Sequence, residues 1–401
     1  MNISRKLKNL SYNLYMIGYN LIHKRKNDVI LIGGWMGLKF ADNSRYLYQF
    51  LYENKDKYNL SKVIWVTRNE ELNDKLNSLG YESYLIGTKE SNYWHKVAAM
   101  HIICDAETSV LNFSPDIDSK YSFGAKKIQL WHGVGVKSVG LASNDANPKK
   151  YKSSPIISFV HTILSEGGWY DKKFLCTSKR NTYINQLYAN DFHEDHYFIS
   201  SYPRHCKCPK TFTEENAMIK KMKKHKYVFM YFPTFRRSVE NYTHPLTDPN
   251  IIDFIKENDV LWIEKEHSAS NYINDIRGSN IIELEQNFDI NTIIPFASLI
   301  ISDYSSVLFD AVHLGINCCM YAPDFDDFKN GDVGFVIDPL KIFKGHMFSI
   351  STNELEKNIE SLTKGIYLGD EEKQCYQIIN RDYFENNYFD LDSIWSTIEA
   401  L

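Results

Sequence analysis

The chain has 401 residues, 43% of them apolar, with 46 Lys+Arg against 50 Asp+Glu and a formal net charge of −4 at pH 7. That length exceeds one ordinary core and points to two domains, while the mild acidity gives no reason for a nucleic-acid partner. The seven cysteines, at positions 104, 176, 206, 208, 318, 319 and 375, are odd in number and lack zinc-ligand spacing, so free thiols in a reducing cytosol fit and a disulfide framework does not.

Residues 1–26 carry Arg5, Lys6, Lys8, Lys24, Arg25 and Lys26 and no acid. Ile3, Leu7, Leu10, Leu14, Ile17 and Leu21 recur at three- and four-residue steps. Basic ends and an apolar stripe predict a helix on an anionic membrane surface, or one packed on the domain or against a partner chain. No secretory signal is evident. No run reaches the roughly 18 apolar residues that span a bilayer.

Beyond it, short buried strands alternate with helices. Strands are predicted at Asp28–Gly34, Val63–Thr67, Tyr81–Ile86, His101–Cys104, Lys127–Leu130, near Phe174–Ser178 and at His196–Ser200. Helices are predicted at Asn43–Tyr52, Glu70–Leu79, Tyr93–Met100 and Asn181–Tyr188. A lysine-rich link over Cys206–His225 leads to a second series of strands: Tyr227–Tyr231, Val260–Ile263, Asn280–Glu283, Ser298–Ser302 and Asn317–Tyr321. Helices are predicted there at Ile290–Ala297, capped by Asp289, at Ser306–Leu314, and from Asn353 to the end. The pattern predicts two mostly parallel α/β domains with a ligand cleft between them. The expected divisions are 1–26, 27–210, 211–375 and 376–401.

Candidate chemistry sits where strands end. Gln129–Gly140 leaves a strand as a glycine-punctuated turn carrying His132, Gly133 and Lys137. Pro233-Thr234-Phe235-Arg236-Arg237 also follows a strand, and Arg236 there can grip a phosphate through two parallel hydrogen bonds. Lys265 and His267 end the next strand. In Asp303-Tyr304-Ser305-Ser306, Ser305 is the expected helix cap, and the free N–H groups with both hydroxyls make an anion site. Asp310 lies one turn on, able to orient a partner or reach a ribose hydroxyl. The acidic run Asp324–Asp327 has poor spacing for a metal and reads as an exposed loop. No phosphate-binding loop, dinucleotide fingerprint or nucleophile elbow occurs.

In this order the motifs resemble the CDP-glycerol glycerophosphotransferase family, which makes teichoic acids and teichoic-acid-like capsules. The resemblance rests on Gly37–Asn43, Gln129–Gly140, Tyr202-Pro203-Arg204, Phe232–Arg236, Lys265–His267 and, most strongly, Asp289–Asp310, and spans about residues 28–340. It implies two Rossmann-like domains in a GT-B-like arrangement, with a CDP-polyol held mainly by the C-terminal one. It implies attack of an acceptor hydroxyl on the polyol-bearing phosphate, with release of CMP. His132 is then the candidate base and His267 a second catalytic histidine. Gly133, Lys137, Arg204, Arg236, Lys265, Asp303, Ser305, Ser306 and Asp310 are candidate substrate contacts. No cofactor or metal is implied. The expected partners are CDP-glycerol, a glycan or polyol-phosphate acceptor, and an anionic surface met by residues 1–26 on the cytoplasmic face of the membrane.

The sequence departs from the family pattern at Pro203-Arg204-His205-Cys206, where Asn and Asp usually follow the arginine, and at Glu266 and Ser268 around the second histidine. The loop after His132 also has Val134-Gly135-Val136 where a threonine and a proline are commoner. The alternatives are the same chemistry with CDP-ribitol or another CDP-polyol, a nucleotide-sugar glycosyltransferase on this fold, and a non-catalytic assembly subunit.

Overall fold

Runs of β-branched and aromatic residues build two all-parallel sheets. The computed structural model describes residues 11, 14–16, 18–86, 93–113, 116–117, 119–138, 172–182, 194–234, 242–265, 280–331, 333–386 and 388–401. Among the described residues the first sheet has seven strands: β1 (Lys26–Gly33), β2 (Lys62–Thr67), β3 (Ser83–Leu85), β4 (Ala106–Leu111), β5 (Lys126–Gln129), β6 (Lys172–Cys176) and β7 (Tyr197–Ile199), in the spatial order 3-2-1-4-5-6-7. The second, again among the described residues, has six: β8 (Tyr227–Phe232), β9 (Val260–Glu264), β10 (Ile281–Glu283), β11 (Leu299–Ser302), β12 (Asn317–Tyr321) and β13 (Phe348–Ser349), in the order 10-9-8-11-12-13. Both orders reverse direction beside their first strand, at β1/β4 and β8/β11. In such sheets the crevice outside the carboxyl ends at that reversal is the place for a ligand.

The strands are apolar throughout because both faces are covered. All five residues of Val260–Glu264 are buried, as are the last five of Tyr227–Phe232. Under the first sheet, Trp65 packs edge-on against Phe40 and Tyr48, with ring centroids 4.7 and 5.6 Å away. Each such buried aromatic contributes roughly 1.5–3 kcal/mol through area alone.

The C-terminus crosses back to the first half. The helix Asp370–Tyr383 stops at Phe384, and a separate helix, Leu391–Glu399, follows in place of one continuous helix. Its Trp395 ring packs on Tyr58, whose hydroxyl donates to Asp392. At the break, Thr177 and Ser178 donate to the carbonyls of Tyr383 and Asp382 at 2.6 and 2.9 Å, and Glu385 N–H donates to Thr177 O. These bonds to the first half engage the backbone where the helix would otherwise continue.

Two other expectations fail for local reasons. The strand at His101–Cys104 is the end of the helix Tyr93–Cys104, and the strand comes next, at Ala106–Leu111. A short apolar run does not by itself distinguish a buried helix from a strand. The helix after Asp289 is instead two single turns, Ile290–Thr292 and Ile294–Phe296, because Pro295 has no N–H for an α-helical bond. Of the predicted helix Asn181–Tyr188, residues beyond 182 lie outside the described ones.

At the N-terminus, residues 14–16 and 18–22 are helical, with Met16 buried and Leu14, Leu21 and Ile22 exposed. Arg25 is held inside the fold, donating to the carbonyls of Cys104, Ala106, Tyr121 and Phe123. Lys26 pairs with Asp105. Arg25, one of the basic residues assigned to the membrane surface, therefore ties the start of β1 to its neighbours, whereas the Lys26 pair is exposed. Among the described residues no helix is long and apolar enough to cross a membrane.

Candidate active site

The two sheets meet through buried charge. The helix Asp42–Glu53 follows β1 and presents Asp42, Asn43, Ser44 and Arg45 to the interior. Arg45 makes a bidentate pair with Glu215, 2.5 and 2.8 Å, and lies 3.3 Å from Asp289 of the second half. Asp289 also accepts from the backbone N–H of Asp42 at 3.2 Å. Arg204 donates to Asp42 at 2.7 Å and to both oxygens of Asp310 at 3.0 and 2.8 Å. One guanidinium thus joins carboxylates from the two halves. Burial alone would raise the Asp310 pKa, but the Arg204 charge and the His205 bond outweigh it and bring it down to about 2. His205 reaches Asp310 through Nε2 at 2.7 Å while its Nδ1 has no partner; burial lowers its pKa, and the neutral ring donates this bond as the Nε2–H tautomer.

The strand β5 runs out at Gln129, and the chain turns sharply at Trp131, whose φ is 61°. Asn43 pins that turn by donating to Trp131 O at 2.9 Å, and its own amide oxygen accepts from Arg204 N–H at 3.1 Å. His132 then sits among aromatic rings: Trp131 at 4.2 Å, Phe113 at 5.9 Å and Trp35 at 6.3 Å between centroids. Burial first, then the charges of Arg204 and Lys137, lower the His132 pKa to about 4. The imidazole is neutral at pH 7 and able to take a proton. Gly133 has φ +146°, and a Cβ there would overlap Ser306 of the second half. The same loop continues across the interface, with Val336 N–H donating to Val136 O and Ser138 N–H to Gly334 O at 2.9 and 3.1 Å.

From the second half come the ends of β8, β9 and β11. Lys265 follows β9 and donates through Nζ to Phe288 O at 2.5 Å. Burial, with the charge of Lys39 nearby, lowers its pKa to about 8. Ser305 and Ser306 precede the helix Val307–His313. The cap is one residue later than expected: Ser306 occupies it without a side-chain bond, and Ser305 Oγ accepts only a long bond, 3.4 Å, from Val307 N–H. Neither hydroxyl is committed to the helix start.

A cavity of about 420 Å³ lies between the halves. It is lined by His132, Gly133, Lys137, Arg204, Lys265, Ser305, Ser306 and Asp310, and also by Trp35, Lys39, Asp42 and Asp289. Asp303 is not on its wall. It is buried beneath the next loop, accepting from Thr234 N–H at 2.9 Å, Thr234 Oγ1 at 2.5 Å and Tyr304 N–H at 2.6 Å, so it shapes the β8 loop. Arg204 and Asp310 reach the wall and are also engaged with one another. Arg236 and His267 lie outside the described residues.

Sequence reading missed Asp42, Arg45, Asp289 and Lys39 as site-forming residues. For Lys39, Asp42 and Arg45 the signal was the charged and polar residues of 39–45, shortly after a buried strand and its glycines. Three of the cavity's non-glycine residues, Trp35, Asp42 and Trp131, have positive φ, at 49°, 67° and 61°. Strain of this kind costs about 1–3 kcal/mol per residue and gathers at functional sites.

Two parallel α/β sheets facing each other across a cleft, with a neutral histidine on one side and cations and hydroxyls on the other, define a transferase of the GT-B-like kind. The family description CDP-Glycerol:Poly(glycerophosphate) glycerophosphotransferase matches residues 15–390, and the chain belongs to that family. It is 24% identical over 378 residues to the teichoic acid poly(glycerol phosphate) polymerase of Bacillus spizizenii, covering 90% of each chain. To the teichoic acid glycerol-phosphate transferase of Staphylococcus aureus it is 24% identical over 358 residues, covering 86% of each. Among solved structures it resembles the wall teichoic acid polymerase TagF with CDPG, at TM-score 0.69 and 17% identity, over 99% of this chain and 95% of that one. At that identity the likeness speaks for the fold.

Proposed function

We propose that the chain transfers glycerol phosphate from CDP-glycerol to a hydroxyl of a glycan or polyol-phosphate acceptor, releasing CMP, in teichoic-acid-like wall or capsule synthesis. The observation that carries this is one cavity holding a neutral histidine from the first sheet opposite the Ser305 and Ser306 hydroxyls and Lys265 of the second. The acceptor oxygen attacks the phosphorus that bears the glycerol, and the bond from that phosphorus to the CMP oxygen breaks. His132 takes the acceptor's proton as the new ester forms. Lys265, Lys137 and the serine hydroxyls offset the charge that builds on the phosphates. Asp303 acts by holding Thr234, and Arg204 with Asp310 by fixing the two halves at the right separation. Arg236 and His267 belong to the same reading through their motifs.

The test is nucleotide release from purified protein given CDP-glycerol, CDP-ribitol or a UDP-sugar with a short polyol-phosphate acceptor. CMP from CDP-glycerol is expected, and H132N should lower kcat by about 100-fold, the usual worth of a positioned base. CMP from CDP-ribitol alone would change the polyol. UDP from the sugar nucleotide would make this a glycosyltransferase. No release from any donor would leave an assembly subunit. We also place the protein on the cytoplasmic face of the membrane, through residues 1–26. The exposed Leu14, Leu21 and Ile22 support that reading. Deleting residues 1–22, which spares Arg25 and Lys26, should weaken binding to anionic liposomes, and unchanged binding would remove the idea.

A further inference from the structure

One cation in the cavity has no part in this scheme. Lys39 lies on the loop after β1, in the half that carries His132. Among the described residues its Nζ makes no hydrogen bond or ion pair, and it sits 5.7 Å from the centroid of the Trp35 ring. Lys265 enters the same cavity from the other half. The carboxylate nearby, Asp289, is already engaged by Asp42 N–H, Arg45 and Asn291. Burial lowers the pKa of both lysines, and the Lys39 charge adds to the fall at Lys265. Two ammonium groups in one partly desolvated space are stabilised by an anion between them.

The loop that carries Lys39 is held in a costly shape. Trp35 and Met36 have φ of 49° and 58° without being glycine. Asp116 fixes the turn, accepting from Met36 N–H at 2.6 Å and, through its other oxygen, from the N–H groups of Asn112 and Phe113 at 2.9 Å. Arg68 donates to Met36 O. The result is an indole left 43% exposed at the cavity edge, between Lys39 and His132. A large apolar ring held in that position offers a surface for a ligand's carbon skeleton.

We propose that Lys39, Lys265 and Trp35 form an anion subsite for the acceptor: the two ammonium groups hold the phosphodiester nearest its terminal hydroxyl, and the indole covers the polyol carbons beside it. This rests on the transfer reading above. The acceptor is favoured over the donor because Trp35 and Lys39 stand on the side of the base; Ser305 and Ser306 on the other sheet are assigned to the donor phosphates, and Lys265, which enters from that sheet, serves both. Lys39 also borders a second cavity of about 480 Å³, whose wall carries Glu71, Glu214, Glu283 and Glu285. That acidic wall disfavours phosphate, so the phosphodiester stays at Lys39.

The test uses a short glycerol-phosphate oligomer and, as uncharged acceptor, glycerol. A charge-assisted contact of about 1.5–3 kcal/mol predicts that Lys39→Met raises the KM for the oligomer about tenfold or more. The KM for CDP-glycerol should stay within about twofold, and the preference for oligomer over glycerol should fall. Lys39→Arg, which keeps the charge, should keep most of the oligomer affinity. Lys75→Met, which removes a surface cation paired with Glu214, serves as the charge control and should change neither KM. Calorimetry of the oligomer alone should show the same weakening in Lys39→Met. A rise in the KM for CDP-glycerol instead would give the lysines to the donor and overturn the proposal. So would an oligomer KM and affinity that ignore Lys39. Lys39-dependent oligomer binding without CMP release by the unaltered protein would keep the subsite and discard the transfer reading.

Discussion

A methyl group at position 133 should force the two halves apart. Gly133 has φ +146°, where side chains are rare, and an added Cβ would fall well inside the contact distance of Ser306 Oγ and Cβ while standing 3.4 Å from Arg204 Nη2. The backbone conformation costs about 1–3 kcal/mol for a non-glycine residue. The overlap adds about 1–3 kcal/mol if packing holds. Relief requires either Ser306 to leave the cavity wall or the loop to move and carry His132 with it. A shift near 1 Å at a reacting group costs about 100-fold in rate. Gly133→Ala should therefore lower kcat/KM for CMP release by at least about tenfold and lower stability in urea by about 2–6 kcal/mol, the sum of those two terms. Ser306→Gly removes both overlapping atoms. In that background the alanine should cost only its backbone strain, so a double-mutant cycle in stability should return about 1–3 kcal/mol of coupling. An alanine variant within about 0.5 kcal/mol and twofold in kcat/KM, below the smallest of these terms, would refute the claim that the halves close on this glycine.

Because burial holds His132 near 4, the acidic limb of kcat/KM for the free enzyme should lie near pH 4 rather than at the ordinary histidine value, and Lys137→Met should move it upward by removing a repelling charge. Asp310, held near pKa 2 against 3.8 for an exposed aspartate, binds fewer protons folded than unfolded between those values. Its contribution to stability is thus present above pH 3.8 and lost as pH falls towards 2. Asp310→Asn should cost about 3–5 kcal/mol in urea denaturation at pH 7, because Arg204 keeps a buried charge with one carboxylate fewer, and a cost below 1 kcal/mol would show the pair to be dispensable. Asp303→Asn should raise the KM for CDP-glycerol by releasing Thr234 while leaving the pH limb of His132 unmoved; a displaced limb would place Asp303 in contact with the base.

Much of the site could be read along the chain because it is built from strand ends. His132, Lys265 and the Ser305-Ser306 pair all follow short buried runs, and in a parallel sheet every strand's carboxyl end points the same way. Local pattern therefore carried these residues to one side of each sheet. It failed where two local readings competed, as in the apolar stretch ending at Cys104, which continues as helix. At Asp303, a place in a turn after β11 looks the same whether the side chain faces a ligand or a neighbouring loop, and only the structure shows it accepting from Thr234 and Tyr304.

What the sequence determined by itself was the alternation of strands and helices, the two-fold repetition of that alternation, and the residue types at the strand ends, since these follow from periodicity, glycine placement and side-chain chemistry within a few residues. What only the tertiary structure decided was which charges stay free. Arg204, Asp42 and Asp310 stand far apart in the chain yet neutralise one another in the interior, and Arg45 does the same with Glu215 and Asp289. Lys39 is left without such a partner among the described residues. A charge's availability depends on what is within a few ångströms once water is excluded, and sequence separation carries no information about that distance.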